Sequence, residues 1–283
     1  MLGGWTPLNV RLLGADVLIR PECVEASLPD QKRVVLIEDL RKILAAGRLP
    51  PAAAAKIRGR LGFAQSLMFA RIGRAHLSPF SDRQYTKVSG TRYPLNSDLR
   101  EVIQWWIAVL GIQVPRRVAF DHTAQVLLYT DATGSGHIGA TLFMDGTEYR
   151  ANTHLPAWFA KSKDQIGEYE LAGCLFGVCI AATLFPGVPI LLCCDNLGAK
   201  GVIIRGTCKS ANGRALAAIF WLVIATFGSP LWAEYVRPKC NLADRISRMC
   251  DALPKETKVK KELGHIGVPL LFSHIFLQKK LLI

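Results

Sequence analysis

Four acidic residues lie at the predicted ends of strands and helices in the second half of this 283-residue chain. Asp131 follows the strand-like stretch QVLLYT, and Asp195 follows PILLCC. Glu170 lies on a long predicted helix, and Asp244 lies in the first turn of a short one. Carboxylates that meet at one edge of a sheet repel one another, and a divalent cation that prefers oxygen ligands relieves the repulsion. The four acids are therefore candidate catalytic residues and candidate ligands of Mg²⁺ or Mn²⁺.

Helix phase selects Glu170 over its neighbour Glu168. The positions three, four and seven residues after Glu170 are Gly173, Cys174 and Gly177, which share its helix face. Because these residues are small, that face can approach a sheet closely and bring Glu170 towards it. Glu168 lies two positions earlier and points elsewhere, so we expect it at the surface.

Each acid also has an ordinary structural interpretation. Asp244 fits an acid in a first helical turn, where the helix dipole favours negative charge. Asp195 with Asn196 fits a turn and a helix cap, and Glu170 fits a solvated helix residue. Asp131 is harder to explain in this way, because five apolar or neutral strand residues precede it and an unpaired charge there is costly. The catalytic interpretation therefore depends on all four residues meeting at one edge of a sheet.

The hydrophobic pattern after residue 121 predicts a mixed α/β fold. Strands are predicted over 125–131, 137–144, 147–152, 189–194 and 231–237, and helices over 163–184, 197–204, 211–227 and 242–250. The order βββαβααβα begins with strands joined by hairpins, one of them at the favoured turn pair Asp145-Gly146. Right-handed crossovers would then add further strands and place helices on the faces of the sheet.

The first part of the chain predicts a different, mostly helical segment. Helical spacing covers 30–46 and 52–72, and a third helix is expected to begin near 96–98. The first 20 residues show no clear pattern and are interpreted as a connector.

This first part is also basic. Residues 1–120 hold 18 of the 35 Lys and Arg residues but only 9 of the 22 Asp and Glu residues, and the whole chain has a formal net charge of +13. Such an excess favours a nucleic-acid partner, although a generally basic surface would give the same count. The candidate phosphate contacts are Arg58, Arg60, Arg71 and Arg74.

The cysteines and the apolar runs of the chain indicate in which cellular compartment the protein is expected. None of the eight cysteines lies in a CxxC pair, and four of them lie in apolar runs, so we expect buried thiols in a reducing compartment. No signal-peptide pattern is evident at the N-terminus, and the expected location is intracellular, cytoplasmic or nuclear. The apolar runs 171–194 and 215–233 approach the length of a membrane span. Because 186–189 and 228–230 interrupt them with Pro and Gly, we expect no membrane insertion.

Four strings carry a resemblance to a known family: LLYTDATGSGHIGATLF, GEYELAGCLFGV, ILLCCDNLGAKGVIIRG and EYVRPKCNLADRISR. In order and spacing they resemble the successive motifs of the ribonuclease H domain of retroelement reverse transcriptases. The elements that carry such domains include long-terminal-repeat retrotransposons, tyrosine-recombinase retrotransposons and pararetroviruses. The resemblance implies a ribonuclease H-like domain over 119–252. It assigns the four catalytic acids to Asp131, Glu170, Asp195 and Asp244.

The flanking regions complete the expected domain organisation. Residues 1–118, which include GRLGFAQSLMFARIGRAHLSPF, resemble the thumb and connection segment that precedes the nuclease in the same polyproteins. Residues 253–283 form a basic and then apolar tail for which the sequence predicts no structure.

The resemblance also implies a reaction, the hydrolysis of the RNA strand of an RNA–DNA hybrid with two Mg²⁺ or Mn²⁺ ions. One ion would be held by Asp131, Asp195 and Asp244, and the other by Asp131, Glu170 and in some arrangements Asp195. Two such ions clamp the attacking and leaving oxygens of an in-line displacement. The implied partners are the hybrid, with Asn196 as a further candidate contact, and a separate polymerase domain or subunit.

Two departures from the family pattern leave alternatives open. The chain contains no adjacent pair of aspartates, so the polymerase signature is absent. No histidine lies between His154 and His265, where some family members carry one that assists product release. The alternatives are a catalytically inactive, domesticated or decayed nucleic-acid-binding protein, another nuclease of the same superfold, or a structural or membrane protein.

Overall fold

The computed structural model describes residues 6–86, 92–120, 125–156, 166–248 and 260–265. The chain forms two compact units that divide near residue 121. The proposed domain boundary at 118 and 119 lies close to this division.

Within its described residues, the first unit combines four α-helices and a short 3-10 helix (Ala75–Leu77) with a four-stranded antiparallel sheet. Its helices are α1 (Asp30–Ala46), α2 (Pro51–Ser66), α3 (Ser78–Tyr85) and α4 (Ser97–Ile112). Its strands are β1 (Leu8–Leu12), β2 (Ala15–Ile19), β3 (Cys23–Ser27) and β4 (Arg116–Ala119), in the order β1-β2-β3-β4.

The helices of this unit begin and end at residues that suit helix termini, although α2 ends at Ser66 and not at 72 as predicted. Gly47 ends α1 in the left-handed conformation at φ 63°, which glycine adopts without strain. Pro51 occupies the first turn of α2, where its missing N–H costs nothing. The side chain of Asn96 accepts a hydrogen bond from the N–H of Leu99 at 3.0 Å, so α4 begins where its cap predicts.

The sheet of the first unit is absent from the sequence-based prediction, which has only helices and a connector there. Every residue of β1 is exposed, so the strand lacks the alternation of buried and exposed residues that signals a half-buried strand. β3 pairs with β4 through Cys23 and Ala119, which are far apart in sequence. A local pattern carries no information about such a pairing.

The second unit is built on a six-stranded mixed sheet. Its strands are β5 (Val126–Ala132), β6 (His137–Met144), β7 (Thr147–His154), β8 (Ile190–Cys194), β9 (Leu231–Tyr235) and β10 (Lys260–His265). Its helices are α5 (Ile166–Leu184), α6 (Leu197–Arg205), α7 (Ala211–Phe227) and α8 (Asp244–Ser247).

The strand order of this sheet, β10-β7-β6-β5-β8-β9, confirms the expected fold class. The pairs β5–β6 and β6–β7 are antiparallel hairpins, whereas β8 and β9 join the sheet parallel to β5 and to β8. These five strands form an antiparallel meander followed by two parallel strands, the topology expected from the sequence. β10, which the sequence did not predict, adds a parallel partner to β7 at one edge.

The central helix α5 supplies most of the core on one face of this sheet. Among the described residues it is the one helix long and apolar enough to cross a membrane, and 78% of its most apolar 18-residue window is buried inside the protein. This burial is typical of the core helix of an α/β domain. Cys174, Cys179, Cys193 and Cys194 are buried and free, as their apolar surroundings predict.

Candidate active site

Two adjacent parallel strands bring Asp131 and Asp195 to the same edge of the sheet. β5 and β8 pair in register through Tyr129 and Cys193. Asp131 lies two residues beyond the first of these positions and Asp195 two residues beyond the second. Carboxyl ends of parallel strands are where sheets of this class place their sites. Asp131 is only 5% exposed, whereas Asp195 is half-buried.

The small-residue face of α5 lets the helix pack directly on β5. A Cβ atom added at Gly177 would lie 2.6 Å from Thr130 Cγ2 and 3.0 Å from Leu128 Cδ1. One added at Gly173 would lie 3.4 Å from the Asp131 carbonyl oxygen. The close approach predicted from helix phase is therefore confirmed.

Glu170 is buried at the N-terminal end of this interface. It is 6% exposed, and the backbone N–H of Ala132 at the end of β5 partly opposes the rise in its pKa. Glu168, which was expected at the surface, is half-buried and accepts hydrogen bonds from Ser210 Oγ at 2.6 Å and Asn212 Nδ2 at 3.2 Å.

Asp131, Glu170 and Asp195 form a cluster of three carboxylates, called here the acidic triad. One oxygen from each lies within 4.8 Å of the others. The second oxygen of Glu170, Oε2, is buried and has no hydrogen-bond partner among the described residues. A buried, unpaired carboxylate oxygen is costly, and a hard divalent cation is the partner that such an oxygen-only set suits. The residues present therefore fit Mg²⁺ or Mn²⁺.

The electrostatics of the acidic triad also favour a bound divalent cation. Burial, with repulsion from Asp131 and Asp195, raises the pKa of Glu170 to about 9. Burial also raises the pKa of Asp131, and Asp195 and Asp244 add to the rise, whereas hydrogen bonding from Ser247 opposes it. Without a cation, the cluster disfavours full ionisation.

Asp244 lies near the acidic triad but outside the set of three close oxygens. It begins α8, and its Oδ1 accepts a hydrogen bond from Arg248 Nε at 2.8 Å, one helical turn away. Its charge still contributes to the raised pKa of Asp131. The structure thus gathers three of the four acids tightly and directs the fourth towards an arginine.

Two polar residues that the sequence did not assign to the site hold Asp131 in place. The Ser247 hydroxyl donates a hydrogen bond to Asp131 Oδ2. Asn241 lies just before the helix predicted over 242–250, and its buried Nδ2 donates to the carbonyl of Thr130 at 3.0 Å. The described helix begins only at Asp244, and Asn241 Oδ1 accepts from the N–H of Ala243 in the preceding turn. Both residues lie in the string EYVRPKCNLADRISR, and its resemblance to a family motif is the only sequence feature that points to them.

Gly139 makes room for α8 beside Asp131. It pairs with Asp131 across β5 and β6. A Cβ atom added at Gly139 would overlap the backbone nitrogen of Ser247 and lie 2.8 Å from the Ala243 carbonyl oxygen. Backbone atoms cannot move aside as a flexible side-chain end can, so this position requires glycine.

A Gly139→Ala substitution is therefore expected to displace α8 and lower the free energy of unfolding by about 1–3 kcal/mol, the usual cost of overpacking. Urea denaturation measures the change. Gly134→Ala, in the turn between the same two strands, is the matched control because a Cβ there meets nothing within 4 Å. Equal stability of the two variants would contradict the packing of α8 on β6.

The candidate nucleic-acid contacts differ in their surroundings. Arg60 forms a partly buried ion pair with Asp39, and Asn196 caps α6 by accepting from the N–H of Ala199 at 3.0 Å. Arg58 is exposed on α2.

Arg71 and Arg74 belong to a cationic cluster that includes Arg116, which the sequence did not single out. Partial burial lowers the pKa of Arg71, and repulsion from Arg74 and Arg116 lowers it further. Three arginines that repel one another in this way favour a polyanionic partner.

Comparisons with known proteins find similar structures but no similar sequences. No protein-family model and no curated protein matches the chain. The N-terminal RNase H domain of rv2228c from Mycobacterium tuberculosis is 16% identical with a TM-score of 0.35, over 45% of this chain and 93% of that chain. RNase H1 from Halobacterium salinarum is 12% identical with a TM-score of 0.33, over 43% and 95%.

A foamy viral protease-reverse transcriptase, solved in complex with an RNA/DNA hybrid, is 12% identical with a TM-score of 0.32. The match covers 87% of this chain and 32% of that chain, so this chain spans about a third of the viral protein.

Proposed function

We propose that this chain is a divalent-metal-dependent nuclease that hydrolyses the RNA strand of RNA–DNA hybrids. The observation that carries the proposal is the acidic triad, in which one carboxylate oxygen from each residue lies within 4.8 Å of the others. It lies at the carboxyl end of the central strand of a ribonuclease H-like sheet. The order of the four motifs in the sequence supports the same activity.

Asp131, Glu170 and Asp195 would hold the cation, with Asp244 as a further ligand of a second one. Bound Mg²⁺ or Mn²⁺ supplies Lewis acidity to the attacking water and to the leaving oxygen. The protein contributes rigid placement, because Asp131 lies on β5, Asp195 directly follows the paired strand β8, and Glu170 is buried where α5 packs on β5. It also excludes water from Asp131 and Glu170, which strengthens their interaction with a cation.

Phosphates of the substrate would be held by basic residues without reading of sequence. Recognition of an RNA strand would depend on its 2′-hydroxyl groups in the minor groove. A polymerase domain or subunit acting on the same hybrid is the partner that we propose.

A substrate panel tests the proposal. The full chain is incubated with labelled RNA–DNA hybrid, DNA duplex and RNA duplex of one sequence, with Mg²⁺ or with EDTA. The expected result is cleavage of the hybrid's RNA strand with Mg²⁺ alone. Preferential cleavage of DNA duplex would identify another nuclease of the superfold, and binding without cleavage of any substrate would identify an inactive nucleic-acid-binding protein.

The cationic cluster is expected to contribute to binding. An Arg74→Gln variant should weaken binding of the hybrid and reduce the slope of log affinity against log salt by about 0.9, the value for one phosphate contact. Fluorescence anisotropy over a series of KCl concentrations measures the slope. Arg11→Gln is the control, because Arg11 is exposed in the same unit but pairs with Asp16 at 2.8 Å. Equal slopes for the two variants would show that Arg74 does not contact a phosphate of the hybrid.

A further inference from the structure

The Ser247 hydroxyl connects α8 to the acidic triad. Its oxygen lies within hydrogen-bond distance of both Asp131 Oδ2 and the Asp244 carbonyl, the latter at 3.0 Å. A hydroxyl has one proton to donate. When a cation holds Asp131 in its ionised form, the carboxylate is the stronger acceptor, because a hydrogen bond to an ionised group is about twice as strong as one between neutral groups. The proton therefore points to Asp131.

The position of this hydroxyl is fixed by its backbone. The nitrogen of Ser247 lies against Gly139, where even a Cβ atom would collide with it. Asn241, six residues earlier, anchors the same segment to the Thr130 carbonyl at 3.0 Å. Ser247 is 1% exposed, so water does not compete for its hydrogen bond. The donor is thus built into the contact between α8 and the two strands β5 and β6.

We propose that Ser247 is a positioning residue that orients the Asp131 carboxylate for a divalent cation, an inference that depends on the proposed function. Asp131 is a member of the triad, and its carboxylate can rotate about its terminal bond. A donor fixed on Oδ2 selects one orientation and leaves the remaining acceptor positions for the side facing Glu170 and Asp195. Hydrogen-bond partners of metal ligands act in this way in metalloproteins generally.

Metal binding by the full-length chain tests the role without depending on catalysis. Mn²⁺ affinity is measured by electron paramagnetic resonance for the wild type, Ser247→Ala and Ser229→Ala, and thermal unfolding is recorded for each. Ser229 is the matched control, since it is fully buried and its hydroxyl has no hydrogen-bond partner among the described residues. Loss of such an outer contact typically costs about 10–100-fold in metal affinity.

The expected result is a loss of Mn²⁺ affinity of about 10–100-fold in Ser247→Ala and none in Ser229→Ala. A Ser247→Thr variant, which keeps the hydroxyl, should recover most of the lost affinity. If wild type and Ser247→Ala bind Mn²⁺ equally tightly, the positioning role is wrong while the metal site stands. If the folded wild type binds no Mn²⁺, the proposed function fails and the inference fails with it.

Discussion

An Asp131→Asn variant is expected to lose more than about 100-fold in the rate of RNA cleavage in an RNA–DNA hybrid, while its fold is retained. Removing an outer-shell partner of a metal ligand costs about 10–100-fold, so removing the charge of a central ligand should cost more. The amide has the shape of the carboxylate, and its oxygen can still accept the hydrogen bond from Ser247. The loss would therefore arise from charge and ligation rather than from packing.

Single-turnover cleavage measures this effect. Asp145→Asn is the matched control, because Asp145 is exposed in the turn between β6 and β7 and its substitution removes the same charge. It should cleave at the wild-type rate. Unchanged cleavage by Asp131→Asn would show that the acidic triad is not the catalytic centre.

The second large effect is expected in the pH dependence of stability. In the metal-free chain the pKa of Glu170 rises from 4.5 to about 9, first through burial and then through repulsion from Asp131 and Asp195. The folded state therefore binds this proton more tightly than the unfolded state does. Its contribution to the free energy of unfolding is greatest below pH 4.5 and is lost as the pH rises towards 9.

A Glu170→Gln variant removes this titration. Each unit of pKa shift corresponds to about 1.4 kcal/mol, so the metal-free variant should exceed the wild type in unfolding free energy by at least about 1 kcal/mol at pH 8. Urea denaturation with EDTA, across a pH series, measures the difference. Glu168→Gln, on the same helix but outside the acidic triad, should follow the wild type. A Glu170→Gln chain that is less stable than the wild type at pH 8 would contradict the raised pKa.

Saturating Mg²⁺ should reverse the order of these stabilities. A cation that binds only the folded state stabilises it by mass action, and Glu170→Gln lacks one of its ligands. The carboxylates would then destabilise the fold without a cation and stabilise it with one. This behaviour is expected of a cluster whose role is to bind a metal rather than to stabilise the protein.

The sequence predicted most of what is local. The hairpin β6–β7 turns at the predicted pair Asp145-Gly146, and α7 spans the predicted range 211–227. Glu170 was distinguished from Glu168 by helical phase alone, because α5 is regular and its small-residue face is continuous. Asp131 and Asp195 were predictable since each ends an apolar strand.

Long-range contacts account for what the sequence did not show. Ser247 and Asn241 meet β5 across more than 100 residues of sequence, and no local pattern indicates which of their neighbours they bind. The pairing of β3 with β4 and of β10 with β7 is equally remote. The orientation of Asp244 towards Arg248 depends on the side-chain geometry of a helix only four residues long.

Anomalous diffraction from crystals grown with Mn²⁺ is the most direct measurement of the central claim, that the acidic triad holds a catalytic divalent cation. The expected result is an anomalous peak among the carboxylates of Asp131, Glu170 and Asp195, with Mn–oxygen distances of about 2.0–2.2 Å, close to those of Mg²⁺. The claim would be contradicted if the three carboxylates were ordered but no peak appeared at saturating Mn²⁺. In that case Glu170 Oε2 would still have no partner.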